Sequence, residues 1–400
     1  MERLPFALLL TVALMLPGRA AASSPPEPLV PVVIGTEHKL HSKLLKEERP
    51  YLVAVPEGYY DSTTTRFPVL YLLDGDAHFH HVTGIVRFLA EQSRMPKVIV
   101  VGVSNTQRTR DLTPPAQGDN VPAGAGGADT FLRFLDEELA PVIEARYRTQ
   151  PYRVLVGHSF GGLFAVHVLM NQPQRFNAYV AISPSLWWSG GALVKGAVKS
   201  LERLPAKERW LYMTMGSEGD DMLGPIQELA RTLEKAKPAR LAWRYSFLEK
   251  EHHGSTPHRS IYDGLEAIFS GWDVPPALLQ SGDAAALEAH YAAMTERFGF
   301  EVRPPEATLN FMGYQLLRKG QSAAALAIFR KNVALYGELS SNVHDSLGEA
   351  LEAAGKKDEA AASYLRAWRL GTERGHHNVP AYKRNLDRVL GKTPEAKKAP

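Results

Sequence analysis

Four hundred residues, 44% apolar and 22% charged, describe a globular chain long enough for two folded units. A formal net charge of +3 is small for this length and argues against a nucleic-acid binder; beyond the weak tail around Lys397 and Lys398 no basic block occurs. Cysteine is absent, which excludes disulfides and a lipid-modified cysteine, and a core of this size needs no covalent staples.

In chain order, Arg3 precedes an apolar run over 4–16, followed by Pro17-Gly18-Arg19 and the small residues 20–23. This pattern predicts a secretory signal peptide over 1–22 with an A-x-A-like cleavage site after Ala22. The run is shorter than the ~20 residues a spanning helix needs, so the expectation is an exported chain, periplasmic or secreted, with no membrane span after cleavage. Residues 23–28, rich in proline and serine, read as a linker.

From 29 to 272 apolar runs alternate with helical patterns. Strands are expected at 29–34, 51–55, 69–73, 98–103, 152–156, 178–182, 210–215 and 242–247. Helices are expected at 81–92, 130–147, 163–170, 223–236 and 261–269. Such alternation predicts an α/β fold, a doubly wound and mostly parallel sheet with helices on both faces. The early strands lack intervening helices and are expected to form an antiparallel edge. Residues 105–128, which run from an arginine-containing stretch into Gly124-Ala125-Gly126-Gly127, form a loop long enough to suggest a functional role.

Residues 273–282 read as a second linker and 283–391 as a smaller all-α domain, with 392–400 a disordered tail. A repeat is visible: Met312-Gly313-Tyr314 corresponds to Leu347-Gly348-Glu349, Ala325 to Ala360 and Phe329 to Tyr364, always 35 residues apart. Helix pairs with small residues at this period look like tetratricopeptide repeats, with 284–298 and 380–390 as end caps. A plain helical bundle is the alternative.

The chemistry concentrates at Gly157-His158-Ser159-Phe160-Gly161-Gly162, between an expected strand and an expected helix. A G-x-S-x-G in that context is a nucleophile elbow, whose glycines let strand and helix approach closely. A serine hydroxyl needs a base to take its proton and an acid to orient that base, in the order serine, acid, histidine. His253, followed by Gly254 in the loop after the last strand, is the expected base, with His252 and His258 as alternatives. Glu218 is the expected acid because it lies nearest the end of the 210–215 strand, and Asp220 and Asp221 remain open. The oxyanion hole is expected from the N–H of Phe160 and that of Gly75, or of Asp76, after the 69–73 strand. His78, His80 and His81 have no carboxylate pattern beside them, so the expectation is a cleft rim including His78, with no metal and no cofactor. Trp187 and Trp188, beyond the 178–182 strand, would either pack in the core or offer an aromatic wall to substrate, the second role being expected of Trp187.

The segments Tyr71-Leu72-Leu73-Asp74-Gly75, Arg110-Asp111-Leu112-Thr113-Pro114, Gly157 to Gly162, Ser183 to Trp188 and His253-Gly254-Ser255 together resemble the Putative esterase (esterase D-like) branch of the α/β-hydrolases. That branch holds siderophore esterases, feruloyl esterases, S-formylglutathione hydrolases and mycolyl transferases. The resemblance covers roughly residues 30–272. It implies Ser159 as nucleophile and His253 as base. The arginine-containing loop is most similar to the siderophore-esterase subgroup, which implies Arg110 as a substrate contact. The chain departs from the family in its undecided acid loop and in its helical C-terminal region.

The resulting expectation is an exported serine hydrolase that cleaves a small-molecule carboxylic ester through an acyl-enzyme. An acyltransferase or peptidase on the same scaffold, or a binding protein that recruits a protein or peptide partner through the C-terminal repeats, are the competing readings.

Overall fold

The computed structural model describes residues 30–116 and 121–392. The expected signal peptide, the first linker and most of the expected tail lie outside the described residues. Eight strands form one sheet: β1 (Thr36–Ser42), β2 (Glu47–Ala54), β3 (Phe67–Leu73), β4 (Ile99–Val103), β5 (Thr149–His158), β6 (Ala178–Ile182), β7 (Arg209–Gly216) and β8 (Leu241–Leu248). Their spatial order is β1-β2-β4-β3-β5-β6-β7-β8. β1 and β2 pair antiparallel and β2 joins β4 antiparallel, whereas all remaining pairs are parallel.

The sheet is doubly wound because its central strands are apolar on both faces. On β3, Val69, Tyr71 and Leu73 join one buried cluster, while Leu70 and Leu72 join the other. The strand order reverses direction around β3, and in such sheets the crevice forms beyond the carboxyl ends of the strands at that point. Ser159 sits there, directly after β5.

One expected strand is absent. Leu29 lies outside the described residues, and 30–35 are not in a strand; the edge strand is β1 instead. Pro28 and Pro31 interrupt the apolar run, and proline cannot donate to a ladder. β1 reads Thr-Glu-His-Lys-Leu-His-Ser, mostly exposed, so it carries no apolar alternation to reveal it. The helix expected over 130–147 spans 128–146, and within it Phe134–Leu139 adopts a π-helical turn.

Beyond the sheet come the helices Pro276–Ser281, within the stretch expected to be a linker, and Ala284–Phe298. They are followed by Glu306–Arg318, Ser322–Tyr336, Asn342–Ala353, Lys357–Glu373 and Val379–Val389. The 35-residue offset recurs in the packing. A Cβ on Gly313 would meet the Phe329 ring at 2.5 Å, and one on Gly348 would meet the Tyr364 ring at the same distance. This helical region rests on the base of the sheet: Phe298 packs on Tyr152 of β5, on Phe269 and on Trp272. Arg297 also donates to the carbonyls of Ile268 and Ser270. Tyr152 lies seven residues before Ser159 on an extended strand, so the junction is about 20 Å from the elbow.

Candidate active site

The elbow is tight for a visible reason. A Cβ on Gly157 would lie 2.3 Å from the Gly161 carbonyl carbon, and one on Gly162 2.8 Å from the Ile182 oxygen. Ser159 itself has φ 59° and ψ −115°, a conformation that costs a non-glycine residue energy and holds its side chain above the sheet. Its N–H donates to Ile182 O, and its carbonyl accepts from the Ser185 N–H. Ser159 Oγ lies 3.4 Å from Ser185 Oγ. Among the described residues it has no hydrogen bond to His253.

His253 and Glu218 stand at the adjoining strand ends. β7 and β8 deliver their loops within contact: a Cβ on Gly216 would meet Glu251 O at 2.5 Å. His253 Nδ1 lies 2.5 Å from Glu218 Oε2. Glu218 Oε1 accepts from Ser183 Oγ at 2.5 Å and from the Gly216 N–H at 3.1 Å. The Glu218 side chain is 3% exposed and that of His253 is 44% exposed. Burial alone would raise the Glu218 pKa, but the donors from Ser183, His253 and Gly216 outweigh it and hold the carboxyl below its ordinary value. The other candidates are elsewhere. Asp220 and Asp221 begin the helix Asp220–Ala236, His252 Nδ1 accepts from the Gly254 N–H, and the ring of His258 lies 5.2 Å from that of His81.

Opposite them, Phe160 and Gly75 each begin a helix, Phe160–Asn171 and Gly75–Glu91, where the first N–H groups have no intrahelical acceptor. Gly75 is pressed against the Gly102 backbone, 2.6 Å from where its Cβ would be. Asp74, which precedes it with φ 53°, is clamped by Arg108: Nε donates to Oδ1 at 2.6 Å and Nη2 to Oδ2 at 3.0 Å. Arg108 Nη2 also donates to the His158 carbonyl at 3.2 Å, so one guanidinium ties the Asp74 turn to the elbow. Burial pulls the Asp74 pKa up, but Arg108 and Asn105 outweigh it and the net shift is downward.

Arg110, the arginine expected to contact substrate, points away from this arrangement. Its guanidinium donates to both oxygens of Glu47 and to Asp111, which is also bound by the buried Arg49. The pair with Arg110 is the main reason the Glu47 pKa falls to about 2. Arg108 and Arg110 are two residues apart on the helical turn Arg108–Leu112, so their side chains leave on opposite sides. Nothing in the sequence ranks one above the other as the residue nearer Ser159.

His78 belongs to a row of imidazoles. The His253 ring lies 4.5 Å from that of His158, His158 lies 6.0 Å from His78, and His78 Nδ1 is 3.1 Å from His81 Nε2. Burial, then the neighbouring His253 and His78, pushes the His158 pKa down to about 4; burial and His78 do the same for His81. His158 and His81 are thereby disfavoured as cations at neutral pH. On the other side Trp187 is 43% exposed, 6.2 Å from the Phe160 ring, and borders an open cleft of about 640 Å³ that also touches Lys195, Asp220, Asp221 and Glu228. Trp188 is 5% exposed, and its Nε1 donates to Pro114 O. The tryptophan pair therefore divides, one ring at the rim and one in the core. The sequence gives no role to Arg108, nor to Asp74, His158 and Ser183 inside its motifs, because each matters through a partner distant along the chain.

A doubly wound sheet with a serine elbow at its topological switch point defines an α/β-hydrolase. The chain belongs to the Putative esterase family, whose profile matches residues 42–260, and it is a carboxylic-ester hydrolase. It is 34% identical over 264 residues to the siderophore triacetylfusarinine C esterase of Aspergillus fumigatus, a match covering 56% of this chain and 90% of that one. It is 32% identical over 183 residues to the ferri-bacillibactin esterase of Bacillus subtilis, covering 40% of this chain and 62% of that one. Among solved structures, an IroE-like serine hydrolase from Shewanella oneidensis superposes with a TM-score of 0.67 at 30% identity, covering 76% of this chain and all of that one.

Proposed function

We propose that this chain is an exported serine esterase that hydrolyses a siderophore-type ester through an acyl-enzyme on Ser159. The observation that carries the mechanism is the Glu218–His253 pair, 2.5 Å apart at the strand end beside the elbow. With Nδ1 held by the carboxylate, His253 Nε2 is left to accept the Ser159 proton as Oγ attacks the ester carbonyl. Negative charge then builds on the carbonyl oxygen, where the Phe160 and Gly75 N–H groups would receive it. The tetrahedral intermediate collapses as His253 returns the proton to the departing alkoxide, and an alcohol leaves. Water, deprotonated by His253, releases the acid and regenerates Ser159.

The substrate class follows the names of the two curated relatives, both siderophore esterases. The imidazole row and Trp187 would suit a planar acyl or aryl group, and the hydrogen bond from Arg108 to the His158 carbonyl favours Arg108 over Arg110 as the arginine beside it. Export rests on the pattern of residues 1–22, and no helix among the described residues is long and apolar enough to cross a membrane. The test is turnover of a p-nitrophenyl acyl series and of a triscatecholate or hydroxamate ester, with fluorophosphonate labelling. Both should vanish in Ser159→Ala while the fold persists; activity retained in that variant would overturn the mechanism.

A further inference from the structure

We infer that Ser183 is a positioning residue for the reaction: it fixes the carboxylate plane of Glu218 and, through its own turn, ties that carboxylate to the nucleophile elbow. The inference rests on the proposed serine–histidine–glutamate mechanism and adds a member to it.

Glu218 has three side-chain torsions, so a single contact to His253 would leave its carboxylate free to rotate. The two oxygens have separate tasks. Oε2 faces His253, while Oε1 takes the Ser183 hydroxyl and the Gly216 N–H. Ser183 is fully buried, so no water competes for this bond. Its single proton is committed to Glu218, and Thr256 Oγ1, 3.1 Å away, has one proton for which Ser183 Oγ and the His252 and His253 carbonyls compete. Thr256 Oγ1 also lies 2.9 Å from the His253 carbonyl, so the hydroxyl pair touches the backbone of the base as well as the acid.

The same turn reaches the nucleophile. Ile182 O accepts from the Ser159 N–H, Ser185 N–H donates to Ser159 O, and Ser185 Oγ lies beside Ser159 Oγ. Ser183 N–H donates to Thr214 O, which anchors the turn to β7. Ser183 holds φ 41°, a left-handed conformation that glycine adopts freely and serine does not. A residue kept only for the backbone would therefore be glycine; the hydroxyl is what serine adds.

That contrast supplies the test. Ser183→Gly should lie within a few degrees of the wild-type melting temperature, because relief of the left-handed conformation offsets much of the lost hydrogen bond. Its kcat on a p-nitrophenyl ester should fall by about tenfold or more, with KM within about twofold, as expected for loss of a hydrogen bond to a charged group. Removing a donor that favours the carboxylate raises the Glu218 pKa, so the low-pH side of the kcat profile, which reports the coupled His253–Glu218 pair, should differ from that of the wild type. In a Glu218→Gln background Ser183→Gly should cost little more. Thr256→Val, which removes the hydroxyl that bridges Ser183 and the His253 carbonyl, should lower kcat in the same direction and keeps the test open should the glycine variant fold poorly. Wild-type kcat and pH profile in Ser183→Gly, with Glu218→Gln impaired, would overturn this inference and leave the triad standing. An equal loss in the Glu218→Gln background would place the action of Ser183 elsewhere and overturn it too. Full activity in Glu218→Gln would remove the role of Glu218 itself, and this inference with it.

Discussion

Arg108→Gln would strand a buried carboxylate. Asp74 is 6% exposed, and its charge is met by two guanidinium hydrogen bonds at 2.6 and 3.0 Å and by Asn105 Nδ2 at 2.7 Å. Removing one partner of a buried pair costs about 3–5 kcal/mol, because the remaining charge keeps its desolvation penalty. Here Arg108 is 35% exposed and already screened by water, and Asn105 stays in place, so about 2–3 kcal/mol is expected. The assay is urea unfolding at pH 7.5 and pH 5. In the wild type the Asp74 pKa is depressed, so its contribution is present at both values and lost only as pH falls through that lowered pKa. Without Arg108 burial acts largely unopposed and pushes the pKa up, so Asp74 takes a proton as pH falls and the deficit shrinks at pH 5. Arg108→Gln/Asp74→Asn, which removes both charges, should recover at least half of the loss. A deficit below about 0.5 kcal/mol at pH 7.5 would refute the reasoning, as would a double variant no more stable than the single one.

The two tryptophans should separate cleanly. Trp187→Ala should raise KM or flatten the acyl-chain preference with stability within about 0.5 kcal/mol, whereas Trp188→Ala should cost about 3–5 kcal/mol because its ring and N–H are both buried. Phe298→Ala should cost a similar amount by opening a cavity among Tyr152, Phe269 and Trp272, read as a lower melting temperature. Its KM should stay at the wild-type value, since the junction lies at the opposite end of β5; a changed KM would mean that the helical region reaches the cleft.

Much of this molecule was legible in the chain because its signals are local. β6 begins and ends at the residues that its apolar run marks, 178 and 182, since a strand buried on both faces has nowhere to place a polar residue. The elbow declares itself because only glycine fits where Gly157 and Gly162 meet backbone. The helical repeat is visible because Gly313 and Gly348 each make room for an aromatic ring sixteen residues later. β1 was hidden for the opposite reason: a solvated edge strand can be polar throughout and is held by main-chain bonds to β2 rather than by side chains.

The sequence by itself therefore determined the layered sheet, the place of the serine and the helical appendage, each written in periodicity or in glycine spacing. Which carboxylate faces His253 was decided only by tertiary structure. Glu218, Asp220 and Asp221 lie within four residues, and the choice among them depends on how Gly216 brings β7 against the loop after β8. The same holds for Arg108 over Arg110, separated by the turn of one short helix, and for Ser183, whose partner is 35 residues away. Electrostatic pairing depends on distances of a few ångströms between chain segments far apart in sequence, and those distances come into being only when the sheet assembles.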